Sequence, residues 1–458
     1  MITRIKWKNH SVLGNLSLDF QKPDGTPYKT IVFAGENGCG KTTILKTLST
    51  FLNVGSFLPF DYIEYVQNGK VFQATSDDIK GKQGWDNDMF TGGHHYLFEL
   101  STNISRAIIA NKNKLDPDDI LFNGCVFSKA RSGFKTKNIE SVKTNRLDTN
   151  KFDDDSSDDF TLTKQLLVDI EAQDSSEWMD YSRSNPGADI RSYESKLRMF
   201  RFENAFNNFF KNIKFSKIAT SQQGKNIAFT KYGKEINIDD LSTGEQQIVF
   251  RGTQLLKNSK SIYGGVVLID EPELSMHPKW QHKILDYYRN LFMDNGRQMV
   301  QLFVATHSEE VIRSSLKDED TLVIVLKNNN GIISPQRVDA PIILPSMTSA
   351  EINFLAFDIV STDFHVLLYS TLQNVNNLNT IMDVDNYIVN SGHYDTSKHN
   401  KPYICNLPNG SIRTYRSLPT YIRNSIDHPD NSHSFADEEL RESVNLLIKL
   451  VSPSFIPM

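Results

Sequence analysis

Residues 35–42 read Gly35-Glu36-Asn37-Gly38-Cys39-Gly40-Lys41-Thr42 and fit the phosphate-loop pattern G-x-x-x-x-G-K-[ST] at every fixed position. The short apolar run Thr30-Ile31-Val32-Phe33-Ala34 leads straight into it and reads as a buried strand. Thr42 to Leu52 reads as the helix that the loop opens. Strand, glycine loop and helix in that order commit the chain to an α/β fold with parallel strands at the centre of its sheet. Glycines let successive backbone N–H groups turn inward on phosphate oxygens, and the helix adds its positive end.

From that pattern Lys41 is expected to reach the β- and γ-phosphates of ATP, and Thr42 to hold Mg²⁺ through its hydroxyl. Gly35, Asn37, Gly38, Cys39, Gly40 and Thr43 complete the expected ATP-binding loop. Val266-Val267-Leu268-Ile269 is a second buried strand, ending in Asp270-Glu271. An aspartate at such a strand end suits the Mg²⁺ shell, and the adjacent Glu271 is free to polarise an attacking water. Gln301 to Ala305 is a third buried strand, and His307 follows it within reach of a γ-phosphate. Between these segments lies Leu241-Ser242-Thr243-Gly244-Glu245-Gln246-Gln247, just ahead of the helical pattern Ile248-Val249-Phe250. A serine at a helix start is an anion site, but sequence distance does not decide which nucleotide it meets.

Together, Gly35–Thr42, Leu241–Gln247, Leu268–Glu271 and Ala305–Ser308 resemble the ABC-type ATPases of the SMC/Rad50/RecF group. More closely, the set is similar to the "AAA family ATPase" proteins of bacterial anti-phage defence, including the ATPase subunits of Septu, PARIS and OLD-type systems. Glu271-Pro272-Glu273-Leu274-Ser275-Met276-His277-Pro278 is the strongest marker, since that group carries this string as catalytic glutamate plus D-loop. The resemblance implies an ABC-type P-loop ATPase domain, a mixed central sheet flanked by helices, followed by a mostly helical domain. It implies a homodimer that sandwiches ATP and Mg²⁺ between Lys41 of one copy and Ser242, Thr243, Gly244 and Glu245 of the other. Glu271 is then the catalytic base and His307 the switch histidine. It further implies a role in sensing infection and controlling a nuclease effector. The alternative from the same resemblance is a RecF/Rad50-like DNA repair ATPase that loads on DNA.

Two departures bear on this. The signature reads Leu-Ser-Thr-Gly-Glu-Gln rather than the transporter form, which favours the non-transporter branch. The stretch between Lys41 and Leu241 lacks sustained heptads, so no long coiled-coil rod is expected. For the Q-loop glutamine of the family, Gln67 and Gln73 are the candidates.

A net charge of −5 gives no global basic field for nucleic acid. Three cysteines without C-x-x-C spacing suit a reduced cytosol better than disulfides or zinc. With no signal peptide and no apolar run of membrane-spanning length, the expected location is cytoplasmic, with no membrane partner. Asp153 to Asp159 is an acidic run that reads as a solvated loop. Glu194 to Phe210 reads as one helix with an aromatic core face, and residues 226 to 240 as a hairpin turning at Tyr232-Gly233.

The composition shifts near Pro345. The expected division is an ATPase domain over 1–345, with a polar and helical insertion at about 129–215, and a helical effector or docking domain over 346–458. Residues 349–375, 418–427 and 435–451 read as helices, and 376–417 as loop with two weak helical stretches. Arg423 and His428 close the second of these helices and resemble the R-x(4–6)-H motif of HEPN ribonucleases. There an arginine stabilises charge on a scissile phosphate and a histidine moves the proton. That resemblance implies, as a further alternative, an ATP-gated ribonuclease acting on RNA or tRNA.

Overall fold

The computed structural model describes residues 1–76, 95–108, 114–130, 152–154, 160–221, 224–257, 262–338, 341–406, 411–429 and 432–455. The chain divides into two compact units, Met1–Pro335 and Gln336–Met458.

The first unit is built on a largely parallel sheet. Its strand order is Ile332–Val338, Thr321–Asn329, Thr30–Ala34, Gln301–Thr306, Val266–Asp270, Cys125–Ser128 and Phe152–Asp154. Every pair from Thr321–Asn329 to Phe152–Asp154 runs parallel. The three strands expected at the centre are buried along their whole length, which is why they read as unbroken apolar runs. The loops after Thr30–Ala34, Val266–Asp270 and Gln301–Thr306 therefore leave the same edge of the sheet, where ligands bind in open α/β sheets.

A six-stranded antiparallel sheet packs against the helix Lys41–Leu52, starting from the pair Ile2–Trp7 and Ser17–Asp19. Gln301, fully buried, joins the two sheets. Its amide donates to Ile2 O and Tyr28 O and accepts from Ile2 N–H, so three backbone groups find partners in one side chain. Phe20, Phe33 and Phe303 fill the space between, with Phe20 and Phe303 ring centroids 5.2 Å apart. Each such buried ring contributes on the order of 2–3 kcal/mol.

The hairpin at Tyr232-Gly233 is present as Gly224–Lys231 and Lys234–Asn237, and Ile213–Ser221 adds a third strand. The aromatic helix is shorter than expected, Arg198–Phe209, because Leu197 before it and Phe210 after it are extended. Phe202, Phe206 and Phe209 are buried as the pattern requires, while Phe200 faces solvent. Of the acidic run, Asp153 and Asp154 lie in the strand Phe152–Asp154, and 155–159 fall outside the described residues. The insertion carries the helix Phe160–Ser184. All three cysteines are free.

The second unit contains helices Ser349–Phe357, Thr362–Val375, Ile381–Val389, Leu418–Asp427 and Asp437–Val451. Ser349–Phe357 stops where Asp358 turns left-handed, and Ser361 caps the next helix through the N–H of Phe364. The expected loop over 376–417 is corrected here: Asn400–Asn406 and Ile412–Ser417 form an antiparallel hairpin. Its inward pair is Tyr403 and Tyr415, while Ile404 and Ile412 face solvent, so the apolar residues do not mark the buried face. Asp385, fully buried, accepts from Arg416 N–H, Ser417 N–H and the Ser417 hydroxyl and anchors the hairpin's second strand. Among the described residues no single helix is long and apolar enough to cross a membrane. Ser349–Phe357 and Thr362–Val375 have that composition together but are bent by 117°.

Candidate functional site

Gly35 leaves its strand at φ 143°, and a Cβ there would lie 2.3 Å from Leu326 O. Gly40, at φ 88°, starts the helix Lys41–Leu52 under Ile333 and Leu13, each 2.8 Å from where its Cβ would be. Both positions admit glycine alone, which fixes the path of the loop. Lys41 is buried and curls back into it. Its ammonium donates to Gly35 O at 2.7 Å and Glu36 O at 2.8 Å, and lies 3.3 Å from His307 Nδ1. Burial lowers its pKa from the ordinary lysine value.

Thr42 begins the helix and donates its hydroxyl to Asp270 Oδ1 at 3.0 Å, across from the end of Val266–Asp270. Burial pushes the Asp270 carboxyl up, and the Thr42 hydrogen bond opposes that. Glu271 follows at φ 45°, a left-handed backbone that costs a non-glycine residue on the order of 1 kcal/mol or more. The turn is held by its N–H on Ala305 O at 2.9 Å and brings Glu271 Oε1 to 3.3 Å from His307 Nε2. The His307 pKa is lowered, first by burial and then by the Lys41 charge, while Glu271 pulls it up.

Glu273 was not expected to matter beyond its place in the motif. It accepts from the Thr306 hydroxyl at 2.8 Å and from His307 N–H at 2.7 Å, and so sets where His307 stands. Its pKa is raised by burial. Arg251 was missed altogether. Fully buried, it donates to Asp270 O at 3.0 Å and Lys129 O at 3.2 Å. The one hint in the sequence is a charge set directly after Ile248-Val249-Phe250.

Ser242 and Thr243 are exposed at the start of the helix Thr243–Lys257, which runs away from them into the core. Glu245 accepts from Ser242 N–H at 2.8 Å and from Lys231 Nζ at 2.9 Å. A Cβ on Gly244 would lie 2.8 Å from Ser275 O, so this loop touches the turn after Glu271. No hydrogen bond or ion pair among the described residues joins Ser242 or Thr243 to Lys41, Thr42, Asp270 or His307.

Gln67 and Gln73 are engaged elsewhere. Gln67, buried, donates to Pro117 O and Asp119 O, and Gln73 donates to Glu64 Oε1 at 2.9 Å; both lie in the antiparallel sheet. In the second unit, Arg423 pairs with Asp427 at 2.6 Å and Asn424 Oδ1 at 2.9 Å, one turn before His428, which is exposed at the helix end.

What the first unit brings together is a lysine in a glycine loop, a hydroxyl–carboxylate pair of hard oxygen donors, and a glutamate beside a histidine. Those donors suit Mg²⁺ and the surrounding groups suit a triphosphate. Among curated proteins, the chain is 23% identical over 404 residues to the "Retron Vc95 probable ATPase" of Vibrio cholerae serotype O1 biovar El Tor, covering 72% of this chain and 76% of that one. It is 23% identical over 227 residues to the "Septu protein PtuA" of Bacillus mycoides, covering 46% of this chain and 29% of that one. Among solved structures, the SMC head domain from Thermotoga maritima aligns with a TM-score of 0.37 at 14% identity, over 74% of this chain and 98% of that one. The family model described as "AAA domain, putative AbiEii toxin, Type IV TA system" matches residues 31–313, from the strand before the phosphate loop to the helix after His307. That match spans more than half of the 458 residues, and the chain belongs to this family of AAA-domain ATPases.

Proposed function

We propose that this protein hydrolyses ATP in composite pockets formed by two copies of itself, and that it acts in anti-phage defence by controlling a nuclease effector. The observation that carries the ATPase reading is the convergence of Thr42 on Asp270 and of Glu271 on His307 beside Lys41. The defence role is supported by the names of the retron and Septu relatives. A cytoplasmic location follows from that role.

In this reading Lys41 exchanges the carbonyls of Gly35 and Glu36 for phosphate oxygens. Thr42 and Asp270 hold Mg²⁺, which when bound neutralises charge on the β- and γ-phosphates. Glu271 accepts a proton from the attacking water, and His307, fixed by Glu273, orients that water. Ser242 and Thr243 are exposed at a helix start, with Gly244 buried behind them in the first turn, which suits a partner's triphosphate there.

Phosphate release from Mg-ATP tests the site. Lys41→Ala is expected to lose binding and turnover, and Glu271→Gln to keep binding and lose turnover by about 100-fold or more. Wild-type rates in either variant would end this reading. The ribonuclease alternative has in its favour the clustering of Arg423 and His428 at one helix end, and RNA integrity with Arg423→Ala and His428→Ala in turn is its test. Cleavage unaffected by both changes assigns the effector to another protein.

A further inference from the structure

Beside the start of the helix Thr243–Lys257 lies a groove of about 710 Å³ that shares Glu245 with the expected ATP-contacting segment and none of Lys41, Thr42, Asp270, Glu271 or His307. Its floor is apolar. Phe209 and Phe210 pack on Trp280, with Phe210 and Trp280 ring centroids 5.0 Å apart, and Ile213 continues the wall. Its rim is basic. The ammonium groups of Lys211, Lys279 and Lys283 have no ion pair among the described residues. Lys231 is bound to Glu245 at 2.9 Å. The other carboxylate, Glu310, is met by His282 at 3.4 Å and by Arg313 at 3.5 Å. Five lysine and arginine side chains thus face two carboxylates, in a chain whose net charge is −5.

We propose that this groove docks an acidic peptide segment of a partner protein, and that docking reports to the nucleotide through Lys231. Charge complementarity selects the occupant: an apolar anchor sits on Trp280 and carboxylates sit among the lysines. Phe209 and Phe210 are 4% and 3% exposed, so their faces are closed to stacking bases, which leaves half-buried Trp280 and exposed Tyr232 in the lining, too few rings for a run of stacked bases. Five lysine and arginine side chains around one cavity of about 710 Å³ match the size of a short peptide.

The link to the nucleotide is one side chain long. Glu245 accepts from Lys231 with both oxygens, at 2.9 and 3.1 Å, and from the N–H of Ser242 at 2.8 Å. A peptide carboxylate in the groove competes for Lys231. Glu245 then keeps its negative charge unpaired at the helix start where a partner's triphosphate is held, so docking weakens the ATP-bound dimer and slows turnover. This step rests on the proposed role of Ser242 and Glu245.

The test uses the full-length chain and a fluorescein-labelled peptide of glutamates and aspartates around one central tryptophan. Fluorescence anisotropy is expected to give saturable, salt-sensitive binding that weakens about tenfold or more in Lys279→Glu/Lys283→Glu. Basal ATPase of that variant is expected within about twofold of wild type, since neither lysine touches the nucleotide site. Unlabelled peptide is expected to slow the wild-type ATPase and not the double variant. Absence of wild-type binding, equal binding by the variant, or tighter binding of oligo-dT of the same length would overturn the acidic-peptide site. Peptide binding with an unchanged ATPase rate overturns the Lys231 coupling. A wild-type protein with no ATPase activity defeats the functional reading instead, and the anisotropy still judges the groove.

Discussion

Arg251 donates through its guanidinium to the carbonyl oxygen of Asp270 at 3.0 Å, so the helix Thr243–Lys257 is fastened to the end of the strand Val266–Asp270. The same guanidinium holds Lys129 O at the end of the neighbouring strand. One buried side chain thus ties the middle of this helix to the ends of two adjacent parallel strands.

Arg251→Met keeps much of the volume and leaves both carbonyls without that donor. It is expected to destabilise the protein by about 2–4 kcal/mol, read as a lower urea midpoint at unchanged m-value. ATPase activity is expected to fall as well. A midpoint within error of wild type would show that other donors replace the guanidinium.

Asp270 has a carboxyl whose folded pKa is raised by burial. A raised acid favours the folded state most when it is protonated, so the nucleotide-free protein loses this contribution as pH rises from the ordinary aspartate value through the higher folded one. Asp270→Asn should therefore raise Tm above wild type at neutral pH without nucleotide, and flatten that part of the pH–stability curve. The same change should abolish Mg²⁺-dependent turnover. A Tm lowered at neutral pH contradicts the burial argument.

Gly252 faces Tyr287 so closely that an added Cβ would fall 1.9 Å from the phenolic oxygen, which itself donates to Ile248 O at 2.8 Å. Gly252→Ala is expected to cost about 1–3 kcal/mol through this collision. In Gly252→Ala/Tyr287→Phe the closest contact goes while ring carbon Cζ stays 2.9 Å from the added Cβ, so the clash is eased and the two effects are expected to be less than additive in a double-mutant cycle. Strict additivity would place the strain elsewhere.

Composite pockets can be tested by mixing. Lys41→Ala and Ser242→Arg chains are each expected to be inactive alone. Mixed in equal amounts, half of the dimers pair one of each and carry one intact pocket, so about a quarter of the wild-type pockets should return. No recovery at any mixing ratio, with dimers verified by sedimentation, would mean that each copy completes its own pocket.

The chemistry at the edge of the parallel sheet was legible because it is local. Gly35–Thr42, Asp270-Glu271 and His307 each follow an apolar strand directly, and strand order then carries them to one edge. The hairpin over Asn400–Ser417 was not legible, since its buried positions are tyrosines and its isoleucines face out. The two glutamines offered for the Q-loop show the limit of residue type alone: the Gln67 amide is spent on the carbonyls of Pro117 and Asp119, and the Gln73 amide on the Glu64 carboxylate of the neighbouring strand.

By itself, the sequence determined that a triphosphate loop exists and which residues stand nearest it, because glycine dihedrals and strand burial act over a few neighbouring positions. Only the tertiary structure decided that Arg251 ties its helix to Asp270, that Glu273 sets His307, and that Lys231 neutralises Glu245. Those pairings join residues from 14 to 34 positions apart, and a charge seeks whichever buried partner the packing brings near, a choice that no local pattern encodes.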